Sequence, residues 1–211
     1  METTGRVEGK IEDRRQAMPI ETFYTSYGKA GFDYTLAFLL VVLLFPLFLA
    51  LALLVYIDSP GKVLFRQVRV GKHGKEFWIY KFRTMHEHVP KQGVSPISSR
   101  DARVTRLGRI LRASSLDELP QLFNILRGEM SFVGPRPEQK SIVDQEYTWL
   151  ERQRLLVKPG LTGLWQISED RRKPIHANLH HDLAYMQQIS FRTDLKIICR
   201  TAGVMFRSNT C

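Results

Sequence analysis

The chain reads as an α+β protein: an N-terminal apolar helix that enters a bilayer and turns back at a proline, then a small mixed helix/hairpin domain. Three observations predict this. Residues 34–57, YTLAFLLVVLLFPLFLALALLVYI, run for about two dozen positions without a charge, against the roughly 20 that a helix needs to cross a bilayer. Two stretches rich in aromatic and β-branched residues, KVLFRQVRV and EFWIYKFRTM, are separated by GKHGK, the composition of a hairpin with a glycine-containing loop. Beyond them, ARVTRLGRILRAS sets Val104, Leu107, Ile110 and Leu111 on one side of a helix and Arg103, Arg106, Arg109 and Arg112 along another, which makes a basic amphipathic helix. The expected organisation is a polar tail over residues 1–28, a re-entrant membrane helix over 29–58 and a cytoplasmic domain over 59–211.

The tail, clearest over residues 1 to about 20, is polar and lacks hydrophobic periodicity, the composition of a disordered segment. The apolar run is not a secretory signal, because it begins too far into the chain and has no small-residue cleavage site. Pro46, near its middle, removes one backbone hydrogen bond and crowds the preceding turn, so the helix bends or breaks there. Arg14, Arg15 and Lys29 precede the run, and Lys62, Arg66, Arg69 and Lys72 follow it. Basic residues mark cytoplasmic flanks, so both ends read as cytoplasmic and the run as re-entrant, with a kinked single span as the alternative. Residues 89–101, VPKQGVSPISSRD, read as a loop. The basic helix is either interfacial or core-facing with a solvated back. Trp149, Leu150 and Leu155, set among the charges of ERQR, read as interfacial side chains.

A formal charge of +10 and a pI near 9.8 call for an anionic partner: nucleic acid, an acidic membrane surface or a phosphorylated substrate. Cys199 and Cys211 are too few for a disulfide scaffold. In HANLHHDLAYM, His176 and His180 stand at helical spacing, but the sequence offers no third ligand of suitable spacing for zinc. His181 and Asp182 read as a polar helix face, with Tyr185 packing inward.

The stretch SSLDELPQLFNIL holds two adjacent carboxylates, Asp117 and Glu118. Ser115 followed by Glu118 fits a capping box, which would put both in the first turn of a helix. Pro120 would then occupy the fifth helical position and cost a hydrogen bond. A helix that starts at Pro120 is the other reading. Either arrangement places the pair where phosphates are attracted. Carboxylate and phosphate repel by on the order of 4 kcal/mol per unit-charge pair at about 4 Å, so such a site needs cations. Arg112 precedes the pair, and Arg136 sits between two prolines in SFVGPRP, with little backbone freedom left to lose. Mg²⁺ suits one or two carboxylates plus a phosphate. An aspartate of pKa near 3.9 is already anionic at neutral pH and needs no base to act as a nucleophile.

Four segments, SPGKVLFRQVRVGKHGKEFWIYKFRTM, LRASSLDELPQLFNIL, GEMSFVGPRP and KPGLTGLWQ, carry a resemblance to the bacterial sugar transferases, the monotopic phosphoglycosyl transferases, over roughly residues 29 to 205. The resemblance implies transfer of a phosphosugar from a UDP-sugar to polyprenol phosphate with release of UMP. It places this at the cytoplasmic face of the bacterial inner membrane, as the start of glycan biosynthesis (exopolysaccharide, O-antigen or glycoprotein). By the same resemblance Asp117 attacks the sugar-bearing phosphate to form a covalent intermediate and ligates Mg²⁺, and Glu118 handles protons or positions the acceptor. Arg112, Arg136 and Lys81 face phosphate, and the anchor breaks at Pro46, where Phe45 stands in place of the family's frequent serine. The family's Gly-Arg pair is replaced here by ISEDRRK, leaving Arg171 or Arg172 for that role. The implied partners are the UDP-sugar, polyprenol phosphate and the lipid bilayer, with no nucleic acid and a homo-oligomer left open. A non-catalytic basic module that binds anionic lipid or nucleic acid would account for the charge and the apolar run. It gives no reason for Asp-Glu beside Arg112 and Arg136. A multi-span transferase would need several apolar runs, and a catalytically dead subunit a damaged dyad.

Overall fold

The computed structural model describes residues 21–87, 89, 101–172 and 178–207. The tail to residue 20, most of the 89–101 loop and His176 lie outside them. The described chain is a mixed helix and sheet protein, as the sequence predicts. A π-helical turn, Tyr24–Gly28, runs into α1 (Lys29–Leu43), Leu44 breaks the helix at φ −91° and ψ 5°, and α2 (Phe45–Asp58) follows, bent by 64°. Pro46 lies in the first turn of α2, where its missing N–H interrupts no helical ladder. The proline therefore sits in the start of the second helix, just after the break at Leu44. No single described helix is long and apolar enough to cross a membrane, while the bent pair together meets that test by length and composition.

One side of the bent pair is buried. Ala37 of α1 packs with Leu122 and Ile125, and Leu51 and Val55 of α2 pack with Phe82 and Leu111. Phe38, Leu39, Val42, Leu43, Phe45 and Leu53 remain exposed, far more apolar surface than a water-facing helix tolerates. Polar ties fix the base of α1. The buried Asp194 carboxylate accepts from Tyr24 Oη (2.7 Å), Lys29 Nζ (2.6 Å) and Tyr185 Oη (2.8 Å), and Asp33 accepts from the Phe132 N–H.

The expected hairpin forms: β1 (Leu64–Val70) pairs antiparallel with β2 (Glu76–Phe82), in register from Leu64↔Phe82 to Val70↔Glu76. β4 (Glu138–Gln139) adds to the far side of β1, which leaves β2 at the edge. Two of its free groups are taken by Asn124, fully buried on α4 (Gln121–Leu126). The Tyr80 N–H donates to Asn124 Oδ1 (3.1 Å), and Asn124 Nδ2 donates to the Trp78 carbonyl (2.7 Å). One amide side chain thus satisfies a donor and an acceptor of the open edge and docks α4 against the hairpin. A second, parallel pair joins β3 (Ser131–Val133) to β5 (Gly160–Thr162). The backbones beyond β3 and at β5 touch closely: a Cβ on Gly160 would lie 2.1 Å from the Gly134 nitrogen, so only glycine fits.

The main core gathers Phe77 and Ile79 of β2, Leu122 and Ile125 of α4, Phe132 and Val133 of β3, and Ala37 of the apolar helix. Tyr185 of α7 (Leu179–Met186) and Ile197 of α8 (Phe191–Arg207) complete it. α3 (Arg106–Ala113) is capped by Thr105, whose Oγ1 accepts from the Gly108 N–H at 2.9 Å. Its buried arc runs over Leu107, Gly108 and Leu111. Ile110, expected on the core side, falls outside that arc and is 63% exposed. Val104 is buried but precedes the helix. Of the three side chains expected at an interface, Trp149 and Leu150 on α6 (Trp149–Arg152) are exposed. Leu155 instead packs against Val70, Val143 of α5 (Lys140–Glu146) and Tyr147, because the turn after α6 folds back on β1.

Candidate active site

Asp117 and Glu118 are placed by a reversal of the chain. After α3, Ser115 adopts a left-handed conformation (φ 56°), a 3₁₀ turn covers Leu116–Glu118, and Pro120 stands immediately before α4. The helix therefore starts at Pro120, and the capping box does not form: Ser115 makes no side-chain cap. The left-handed serine turns its hydroxyl away from the role that its sequence position suggests, and it lets two carboxylates project from a tight turn rather than from a helix face.

The environment separates the two acids. Glu118 Oε1 accepts from Lys81 Nζ at 2.6 Å and from Arg136 Nη2 at 3.0 Å. Burial works against its charge, but Arg136 and Lys81 outweigh it and hold the Glu118 carboxyl well below the usual carboxylate range. Asp117 is also buried, and its carboxylate makes no hydrogen bond or ion pair among the described residues. Burial pushes it up to about 6, and the neighbouring Glu118 charge adds to this against the pull of Lys81, Arg112 and Arg136. The expectation of an ordinary aspartate near 3.9 is thus corrected, with desolvation as the cause. Paired acids whose environments push them apart in this way mark a division of roles.

The cations are held from behind. Lys81 is on β2. Arg112, in the last turn of α3, donates from Nε to Thr84 Oγ1 at 2.8 Å. Its helix reaches Thr84 because position 108 is glycine, where a Cβ would fall 2.2 Å from the Thr84 carbonyl oxygen. Arg136 sits in the loop between β3 and β4, whose backbone groups are nearly all engaged. The Gly134 N–H donates to the Thr162 carbonyl and the Gly160 N–H to the Pro135 carbonyl, each at 2.9 Å. Arg154 Nη2 donates to the Arg136 carbonyl (3.1 Å) and Arg69 Nη1 to the Pro137 carbonyl (3.3 Å). Arg154 is 2% exposed, donates to the Tyr147 hydroxyl and pairs with Asp182 at 2.7 Å. Asp182, expected on a polar helix face, is therefore a buried ion-pair partner, because α7 turns that side toward Arg154 rather than to water. Tyr185 packs inward as expected.

The structure brings Lys81, Arg112, Asp117, Glu118 and Arg136 together. Arg171 lies half-buried on the turn Glu169–Arg172 and makes no hydrogen bond or ion pair to the dyad among the described residues, and the side chain of Arg172 lies outside them. Arg154 was not singled out in the sequence, and Arg69 only as a basic flank of the apolar run, because nothing local distinguishes an arginine turned inward among many exposed ones. The same holds for Gln121, buried next to Pro120 with its Nε2 unpartnered among the described residues. The donor set fits a hard divalent cation at Asp117, whose carboxylate is uncommitted among the described residues, better than at Glu118, whose Oε1 already serves two cations.

Comparison with known proteins agrees with this geometry. A sequence profile described as "Bacterial sugar transferase" matches residues 24–208. The chain is 36% identical over 212 residues to the UDP-N-acetylgalactosamine-undecaprenyl-phosphate N-acetylgalactosaminephosphotransferase of Aeromonas hydrophila, covering 94% of this chain and 48% of that protein. It is 41% identical over 194 residues to the UDP-glucose:undecaprenyl-phosphate glucose-1-phosphate transferase of Caulobacter vibrioides, covering 89% of this chain and 73% of that protein. An exopolysaccharide production protein of Rhizobium leguminosarum is 39% identical over 184 residues, covering 82% and 92%. The chain thus spans about half the length of the Aeromonas relative and most of the other two. With the profile covering nearly the whole of it, the chain belongs to the bacterial sugar transferase family.

Proposed function

We propose that this protein transfers a phosphosugar from a UDP-sugar to polyprenol phosphate, releasing UMP, and so begins assembly of a glycan. The observation that carries the reading is the split dyad: a buried Asp117 carboxylate with no hydrogen bond or ion pair among the described residues, beside a Glu118 that two cations hold ionised. An Asp117 oxygen attacks the sugar-bearing phosphorus. The bond from that phosphorus to the bridging oxygen breaks, UMP leaves with the oxygen, and an aspartyl phosphosugar remains. A polyprenol phosphate oxygen then attacks the same phosphorus, and the Asp117 carboxylate departs unchanged. Glu118 binds a proton too weakly to serve as a general base at neutral pH. Its part is to hold Lys81 and Arg136 where the diphosphate charge gathers. Mg²⁺ held by Asp117 would offset phosphate charge as the donor binds. The names of the Aeromonas and Caulobacter relatives support a UDP-sugar donor and an undecaprenyl phosphate acceptor.

The test is UMP release from a panel of UDP-sugars by detergent-solubilised protein with Mg²⁺ and polyprenol phosphate. Release with one sugar supports the reading; silence across the panel, beside an active control enzyme, refutes it. The acid limb of the reaction provides a second check. Asp117 reacts as the carboxylate, so the half-reaction without acceptor slows as pH falls through about 6 and is flat above it. In Lys81→Met the limb moves to higher pH, because the cation that favours the charged form of Asp117 is gone. A limb that stays in place assigns the titration to another group.

We also place the bent helix pair in the inner membrane as a re-entrant hairpin, with the dyad on the cytoplasmic side. The exposed apolar face of α1 and α2 supports this, as do basic residues on both flanks. Single cysteines placed at positions 27 and 62, both exposed, in a background without Cys199 and Cys211, are expected to react with an impermeant maleimide only in inverted vesicles. Labelling of one from the opposite face replaces the hairpin with a span.

A further inference from the structure

The sequence offers a histidine pair without a third metal ligand, and the fold supplies a different set. His181 Nε2 lies 3.0 Å from Asp170 Oδ2, and His180 Nε2 lies 3.9 Å from the same oxygen. The two imidazoles face each other, with centroids 4.0 Å apart and planes tilted by 39°. One donor atom from each of the three residues lies within 4.8 Å of the others. We propose that Asp170, His180 and His181 form a binding site for a transition-metal ion of the zinc, cobalt and nickel class, separate from the dyad.

The distances are those of a set that a metal can close. Ligand bonds of about 2.0–2.2 Å in a tetrahedral site put donor atoms roughly 3.3–3.5 Å apart. His181 and Asp170 are already slightly closer than that, as suits their direct hydrogen bond. His180 needs only a small swing, and its side chain, 66% exposed, is free to make it. Solvent on that side supplies the fourth ligand. The donor types decide the class: two imidazoles and one carboxylate suit zinc, cobalt, nickel or copper, whereas magnesium and calcium require oxygen. The ion proposed for Asp117 therefore does not compete here.

A metal at this site joins the turn Glu169–Arg172 to the first turn of α7 across about ten residues of chain. α7 also carries Asp182, which holds Arg154, which in turn holds the Arg136 carbonyl. The ion would thus brace the support of the phosphate-facing loop from outside the active site.

The test uses the tag-free full chain in detergent with excess Mg²⁺, titrated with Co²⁺ and read by visible absorption. One Co²⁺ per chain, with the intense bands of a low-coordinate nitrogen and oxygen site, is expected. His180→Ala and His181→Gln should each weaken it at least about tenfold. His180→Ala lies at an exposed position, so its effect does not pass through folding. Asp117→Asn should leave the Co²⁺ affinity unchanged. Absence of Co²⁺ binding, binding that survives both histidine variants, competition by Mg²⁺, or loss only in Asp117→Asn each overturns the proposal.

Discussion

Replacing Asp117 by asparagine should abolish UMP release, by at least about a thousandfold, since an amide neither attacks phosphorus nor leaves from it. The same substitution should raise stability at neutral pH. The folded carboxyl titrates near 6, above its ordinary value. Between about pH 4 and 6 the native state therefore holds a proton that the unfolded chain has released. Stability from this group is present below that window and lost as pH rises through it. At pH 7 the charged, buried Asp117 costs the fold roughly 1–3 kcal/mol, which the neutral isostere removes. Urea denaturation of both proteins at pH 7 and pH 5 checks the sign, with the gain larger at pH 7. An active Asp117→Asn protein would end the covalent mechanism, and an inactive but less stable one would show that the site cations over-compensate the burial.

Arg154→Met has the second large effect. Its guanidinium and the Asp182 carboxylate are both almost wholly buried, and removal of one partner strands the other's charge at a cost of about 3–5 kcal/mol. Adding Asp182→Asn should return most of that stability. It should not return activity, because the Arg136 carbonyl still lacks its donor and the loop carrying the Arg136 guanidinium is less constrained. The expected signature of the double variant is a raised KM for the UDP-sugar with a near-normal unfolding midpoint. Full recovery of both would reduce Arg154 to a purely structural part.

These contacts mark how far the sequence could be read. The hairpin was legible because β-branched and aromatic residues flank a glycine turn; a helix start at Pro120 was one of two readings, favoured by the comfort of proline near a helix start. The cations Arg112, Arg136 and Lys81 came with motifs that agree with a known family. The conformation of Ser115 was hidden, since a left-handed serine reads as an ordinary cap. The buried state of Asp182 and Arg154 was hidden as well. Burial of a charged residue is decided by which elements meet around it, and no window of neighbours contains that information. Asn124 is the same case: it reads as a polar residue in an apolar helix until the open edge of β2 is set beside it.

Ala37 shares one core with Leu122 and Ile125, the residues that seat the helix after the dyad. The bent apolar pair is therefore a wall of the core beneath the dyad rather than a leash. Cutting the chain after Asp58 would not liberate a water-soluble domain; it would strip Ala37, Leu51 and Val55 from the cores they share with Phe82, Leu111, Leu122 and Ile125. A soluble variant has to be made by recolouring the outward side chains, such as Phe38, Leu39, Val42 and Leu53, while Ala37, Leu51 and Val55 keep their places.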